Sequence, residues 1–473
     1  EDGANSLGGD SITAQNFANF PPALRRTKAL ITPFSRREFL ATAGKALVLL
    51  PATSYSYYLQ SCGGGAKSSQ QPNLPGPYQG TDAQLLDEIE QTSFQYFWEQ
   101  AHPATGLVKD RAKATGIDNY TAGSIAAVGF GLSALCIGDA RGYQPSAAIQ
   151  QRVLTTLNTF ANNAAQNQGF FYHFLDWSTG QRMWNCELSS IDTALLLCGV
   201  LTARKYFATN QQIVDLATQI YNRVNWQWML NGGTTVSMGW KPESGFLSAR
   251  WEHYCELMMI YLLGMGSPTY PLPASSWNAW SRPTYTYQGI TYISSGDPLF
   301  THQYSHAWFN FQNKHDAYAD YFQNSVKATQ AHKAFCLSLG SQYPDYADDL
   351  WGITASDSAN GYQAWGGPPA TGTIDGTIVP CAAGGSIPFL YADCMKVLRR
   401  IRGTYAAGAW GRYGLLDAFN PLTKWYNPDV LGIDLGITML MAENQRTGLI
   451  WNTFMSNPEA QQGMKLAGFV PNS

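Results

Sequence analysis

Three acids in this chain stand at the head of long apolar runs, and their placement is what gives them chemical interest. Glu187 lies in WNCELSSID, Glu256 in WEHYCELMMIYLLG and Asp434 in VLGIDLGITMLMAEN. Hydrolysis of a glycosidic bond needs one carboxylic acid to protonate the leaving oxygen and a second carboxylate to activate water or attack the anomeric carbon. A carboxyl group beside Cys255, Leu257 and Met258 has its ionised form desolvated, which suits a proton donor. Each acid also has a plainer reading. Glu187 reads equally as a surface glutamate favoured by a helix dipole, Glu256 as half of a buried ion pair, and Asp434 as a helix N-cap. Gly432 and Gly436 flank Asp434 and would let backbone and substrate come close. Asp192 is read first as the capping partner of Ser189 and second as a substrate contact.

Around these acids lie groups suited to holding a sugar, whose apolar C–H faces favour aromatic platforms. They are Trp184, Trp240, His302, His306 and Trp308 in HQYSHAWF, Trp351, Tyr362, Trp365 and Trp425. Asp110 in GLVKDR is expected to pair with Arg111 and order a rim loop. Asp375 in IDGTIVP and Asp357 in TASDSANGY sit in loops, where turn chemistry is the ordinary reading, and Glu443 reads as a buried polar anchor.

Composition agrees with a neutral saccharide partner. Only 13% of the 473 residues are charged, against about 25% on average, while 13% are aromatic, with 15 Trp and 26 Tyr. The formal net charge is −3 and no basic face is evident, which argues against nucleic acid or an anionic membrane surface as partner. The eight cysteines sit singly, most of them in apolar runs with no zinc-type spacing, so neither a required disulfide framework nor a metal or other cofactor is expected.

The elements that must position the acids read as helices. Six runs open on or beside a polar residue and continue apolar all round: those from Ser124, Ser189, Cys255, Ser305 (SHAWFNF), Ser386 (SIPFLYADCMKVL) and Ile433. Such helices are buried on all sides. Amphipathic segments such as Ala147 to Ala164 and Asp320 to Phe335 lie between them. Six inner and about six outer helices make an all-α, (α/α)6 toroid, with the inner N-terminal ends meeting at one mouth. No run of alternating short strands is evident; a small hairpin is expected over Thr284 to Ile293, and otherwise the reading is mostly α.

Before the globular part, SRREFL and the apolar run Ala41 to Ala52, then LQSC, read as a twin-arginine export leader ending in a lipidation box at Cys62. The division expected is a leader over 1–62, a flexible tether over 63–80 and the helical domain over 81–473. Export would make the protein periplasmic or lipid-anchored to a bacterial envelope, touching membrane only through that anchor.

Eight ordered blocks resemble one family. QYFWEQAHPATGLVKDR, SIAAVGFGLSAL, ELSSIDTALLL, YCELMMIYLLGMGSP, HQYSHAWFNF, WGITASDSANGY, DGTIVPCAAGGSIPF and GIDLGITMLMAEN are similar to the successive blocks of the glucoamylase-like domain, glycoside hydrolase family 144. The resemblance implies the toroid, no metal, and inverting action on β-1,2-glucan, either within the chain or by release of sophorose. The matching acids are Glu187, Glu256 and Asp434, with Glu256 read as general acid, Asp434 as general base, and Glu187 as a substrate contact or a substitute in one role. Asn310 departs from the family pattern, which has an acid there. A monomer acting on a β-glucan is the resulting expectation. The competing readings are a transglycosylase or phosphorylase on the same scaffold, a polysaccharide lyase, and a non-catalytic glucan-binding lipoprotein.

Overall fold

The computed structural model describes residues 76–296, 298–368 and 374–472. The leader, Cys62 and most of the tether lie outside the described residues. The end of the tether is pinned to the domain at Tyr78 and Gly80, whose carbonyls accept hydrogen bonds from Arg399. Thr81 then caps the first helix in a reciprocal box with Gln84.

The main helices in chain order are α1 (Asp82–Glu99), α2 (Ile125–Arg141), α3 (Ser146–Asn162), α4 (Ser190–Tyr206), α5 (Gln211–Asn222), α6 (Met258–Gly266), α7 (Tyr321–Ser338), α8 (Pro380–Gly384), α9 (Tyr391–Thr404), α10 (Gly432–Arg446), α11 (Leu449–Met455) and α12 (Pro458–Leu466). Buried α2, α4, α6, α8 and α10 form the inner layer, and α1, α3, α5, α7, α9 and the α11–α12 pair, most of them with one solvated face, lie outside. This is the expected all-α toroid, with two inner elements altered. SHAWFNF forms a 3-10 turn at Tyr304–Ala307 rather than an α-helix. The run from Ser386 is not one inner helix: its first residues turn, and α9 that follows is an outer helix.

Close approach of the inner helices depends on glycine. A Cβ on Gly129 of α2 would strike the Leu195 carbonyl of α4, and one on Gly199 would strike the Gly129 carbonyl. Gly432 and Gly436 serve α10 in the same way, against Ala127 and Phe130. They admit backbone and side chains of a neighbouring helix, not substrate. Far from the mouth, Glu443 is the anchor expected of it. It accepts from Arg141 at 2.6 Å and Thr447 at 2.5 Å, beside Glu90 and Arg446.

The hairpin pairs Thr284–Tyr287 with Ile290–Ile293. The structure also contains short ladders that the reading of the sequence did not include. Ala122–Ser124 pairs with Phe174–Asp176, Leu188–Ser189 with Gly239–Lys241, and Arg111–Lys113 with Asp429–Leu431. Strands of two or three residues are too short for apolar-polar alternation to register. Their role is to tie together the loops that precede the inner helices.

Candidate active site

The inner-helix heads meet as expected, around a cavity of about 170 Å3. Asp192 in the first turn of α4, Asp434 in the first turn of α10, and Glu256 two residues before α6 all line it. Asp110, Arg111 and Tyr362 join them. A second compartment of about 600 Å3 shares Arg111 and Tyr362 with the first and adds Trp425, Asp357 and Asn427. Aromatic walls from Phe174, Trp251, Phe300 and Tyr304 make the inner compartment largely apolar.

Arg111 is fixed by the ladder that sets it opposite Leu431, one residue before α10. The Gly432 N–H donates to the Asp110 carbonyl at 2.8 Å. The expected Asp110–Arg111 pair forms at 3.3 Å, but the shorter contact is Arg111 Nη1 to Asp357 at 2.7 Å. Asp357 is therefore more than a turn residue. An always-charged guanidinium among Asp110, Asp357 and Asp429 offsets much of the local negative charge.

Of the acids, Glu256 is 4% exposed and its carbonyl accepts from Ser305 Oγ at 2.7 Å, which fixes the turn leading into α6. Burial raises the Asp434 carboxyl to about 6, against the lowering effect of hydrogen bonds from Asp417 and Cys381. Glu187 does not line the cavity. It lies behind His173, whose Nδ1 is 3.2 Å from Glu187 Oε1 and whose Nε2 is 3.6 Å from Asp192 Oδ1. Burial alone would push the imidazole down, yet Asp192 and then Glu187 outweigh it and hold His173 at about 9. Burial likewise opposes ionisation of Glu187, but the bond from His173 wins and its pKa falls below the usual value. Glu187 therefore stays ionised at neutral pH and is a poor proton donor.

Ser189 caps α4 by accepting from the Asp192 N–H, and its hydroxyl donates to Asp192 Oδ2 at 2.5 Å. The cap and the cavity contact expected of Asp192 coexist. Trp184 is 45% exposed at the rim, tilted against Phe174 and Tyr120. Several other groups lie elsewhere. His302 bonds Tyr254 and His306 bonds Ser325, both deep in an aromatic layer that burial keeps neutral. Trp308 donates to Ser133 at 2.9 Å, and Trp351 and Trp365 are buried; none of these lines either compartment. Asp375 accepts from the Thr377 N–H at 2.9 Å, the turn chemistry considered for it. Asn310 accepts from the Gln312 N–H and also stands away from the cavity.

The reading of the sequence missed His173 and Asp417. His173 sits in GFFYHFLD and Asp417 in GLLDAFN, neither at a helix head. Both reach the site through strand or loop pairings that leave no periodic signal.

Known proteins share this architecture. Residues 248–458 match the family model described as "Glycoamylase: Putative glucoamylase". A Bacteroides caccae protein of known structure, described in the same words, is 30% identical, with 83% of this chain and 100% of that chain covered and a TM-score of 0.76. The endo-β-1,2-glucanase of Chitinophaga pinensis, solved with sophorotriose and glucose, is 29% identical, covering 83% and 99% of the two chains with a TM-score of 0.78. The exo β-1,2-glucooligosaccharide sophorohydrolase of Parabacteroides distasonis is 29% identical over 96% of this chain, which spans 66% of that relative's length. With the fold and these likenesses in agreement, the chain belongs to the glucoamylase-like family of glycoside hydrolases, of the family 144 type.

Proposed function

We propose that the chain hydrolyses β-1,2-glucan with inversion, Glu256 acting as general acid and Asp434 as general base. The observation that carries this reading is the convergence of Glu256 and Asp434 on one apolar-walled cavity, while Glu187 is held ionised behind His173. The relatives' substrates, β-1,2-glucan and its oligosaccharides, support the choice of linkage. In the reaction a water oxygen bonds to the anomeric carbon as the glycosidic C–O bond breaks. Glu256 gives its proton to the leaving oxygen, and the water's proton passes to Asp434. Proton exchange with solvent resets both. Glu187 serves by orienting His173, and Trp425 and Tyr362 offer platforms for flanking glucose units. The SRREFL leader and LQSC box support export and lipid attachment at Cys62.

The test is incubation of the purified protein with linear β-1,2-, β-1,3-, β-1,4- and α-1,4-glucans, followed by chromatography of the products. Selective breakdown of β-1,2-glucan is expected, sophorose alone marking exo action and a ladder endo action. Intact β-1,2-glucan, unsaturated products or a requirement for phosphate would overturn the reading.

A further inference from the structure

Among the described residues, Asp417 is a deeply buried acid beside the site whose part in the chemistry is still unassigned. It is 1% exposed, against 7% for Asp434, which lines the cavity. One of its oxygens is fully committed: Oδ2 accepts from Asn427 Nδ2 at 2.7 Å and from the Asp357 N–H at 2.9 Å. The other, Oδ1, is buried with no donor supplied by the surrounding N–H and O–H groups, and the same holds for Asp434 Oδ2. Two bare carboxylate oxygens do not persist together in a buried site. A proton between them satisfies both, and the two side chains are hydrogen-bonded to each other.

We propose that Asp417 is the positioning residue of the base: it remains a carboxylic acid whose Oδ1–H donates to Oδ2 of Asp434, orienting that carboxylate with its charge retained. The asymmetry of the pair assigns the proton. Asp417 is the more deeply buried, so burial followed by the charge of Asp434 pushes it far up. Asp434 borders the cavity and is further stabilised as an anion by the Cys381 thiol. Other groups acting electrostatically on the pair are Asp110, Asp357, Arg111 and Tyr304. Asp417 keeps its proton throughout turnover, so no transfer through it is required.

The inference rests on Asp434 being the base, and the test separates the two. Asp417→Asn is isosteric with the protonated acid. Its carbonyl can face Asn427 and the Asp357 N–H, and its amide can donate to Asp434. Asp417→Ala removes the donor. On β-1,2-glucan, D417N is expected within about threefold of the wild-type kcat, whereas D417A falls on the order of 10²-fold. In D417A the acid limb of kcat moves up by about one pH unit, because the charged form of Asp434 loses a hydrogen bond. At neutral pH the infrared difference spectrum of wild type against D417N should show the carbonyl stretch of one protonated carboxyl group. That readout stands even if D417A does not fold. An absent carboxylic-acid band, or D417N as impaired as D417A, overturns the proposal. Full activity of Asp434→Asn instead sinks the assignment of the base.

Discussion

His173 lies between two carboxylates, and its replacement by glutamine gives a stability change whose size and pH dependence both follow from the structure. The fold holds the imidazole at about 9, against an ordinary value of 6.5. At about 1.4 kcal/mol per pH unit, that gap amounts to about 3 to 4 kcal/mol of preferential stabilisation of the protonated form. The pKa is raised on folding, so the contribution is fully present below about pH 6.5 and is lost as pH climbs through about 9. Glutamine can still donate to Glu187 or Asp192 but carries no charge. Chemical unfolding of wild type and H173Q between pH 6 and 10 should therefore show the variant less stable by about 3 kcal/mol at pH 6, with the curves converging above pH 9. A difference that stays constant across this range, or grows with pH, refutes the charged bridge.

Arg446→Met should destabilise the fold by about 1 to 3 kcal/mol at neutral pH while leaving kcat near wild type, because it removes a hydrogen-bond donor from buried Glu90, whose carboxyl burial and then Glu443 hold at about 8 and so largely protonated. Unfolding midpoints and initial rates on the same preparations check both halves. Trp425→Ala should raise KM for long β-1,2-glucan chains about tenfold with little change in kcat, through loss of a stacking platform in the outer compartment. An equal loss of kcat would show instead that Trp425 shapes the reacting centre.

Helix-head acids were legible because apolar runs mark inner helices and their first turns must open at one mouth. Glu256 and Asp434 came from that rule, and both line the cavity. The rule said nothing of depth behind the mouth, so Glu187, two residues from Ser189, looked equivalent although it faces His173 instead of the cavity. Aromatic residues misled for a related reason. His306 and Trp308 are polar-tipped groups in an apolar block, but their partners are Ser325 and Ser133 inside the core. Only contacts made by residues far away in sequence separate a core tryptophan from a sugar platform. Asp417 was invisible because its partners Asp434, Asn427 and Asp357 meet it through three different loops and helices.

The most direct test of the acid and base assignment is the initial rate of β-1,2-glucan cleavage by Glu256→Gln and Asp434→Asn beside wild type, with unfolding midpoints measured on the same samples. Removal of a general acid or base costs about 10² to 10⁴ in rate. Both variants are expected to lose at least 10²-fold in kcat while remaining folded. Either one turning over within a few-fold of wild type would contradict the pairing.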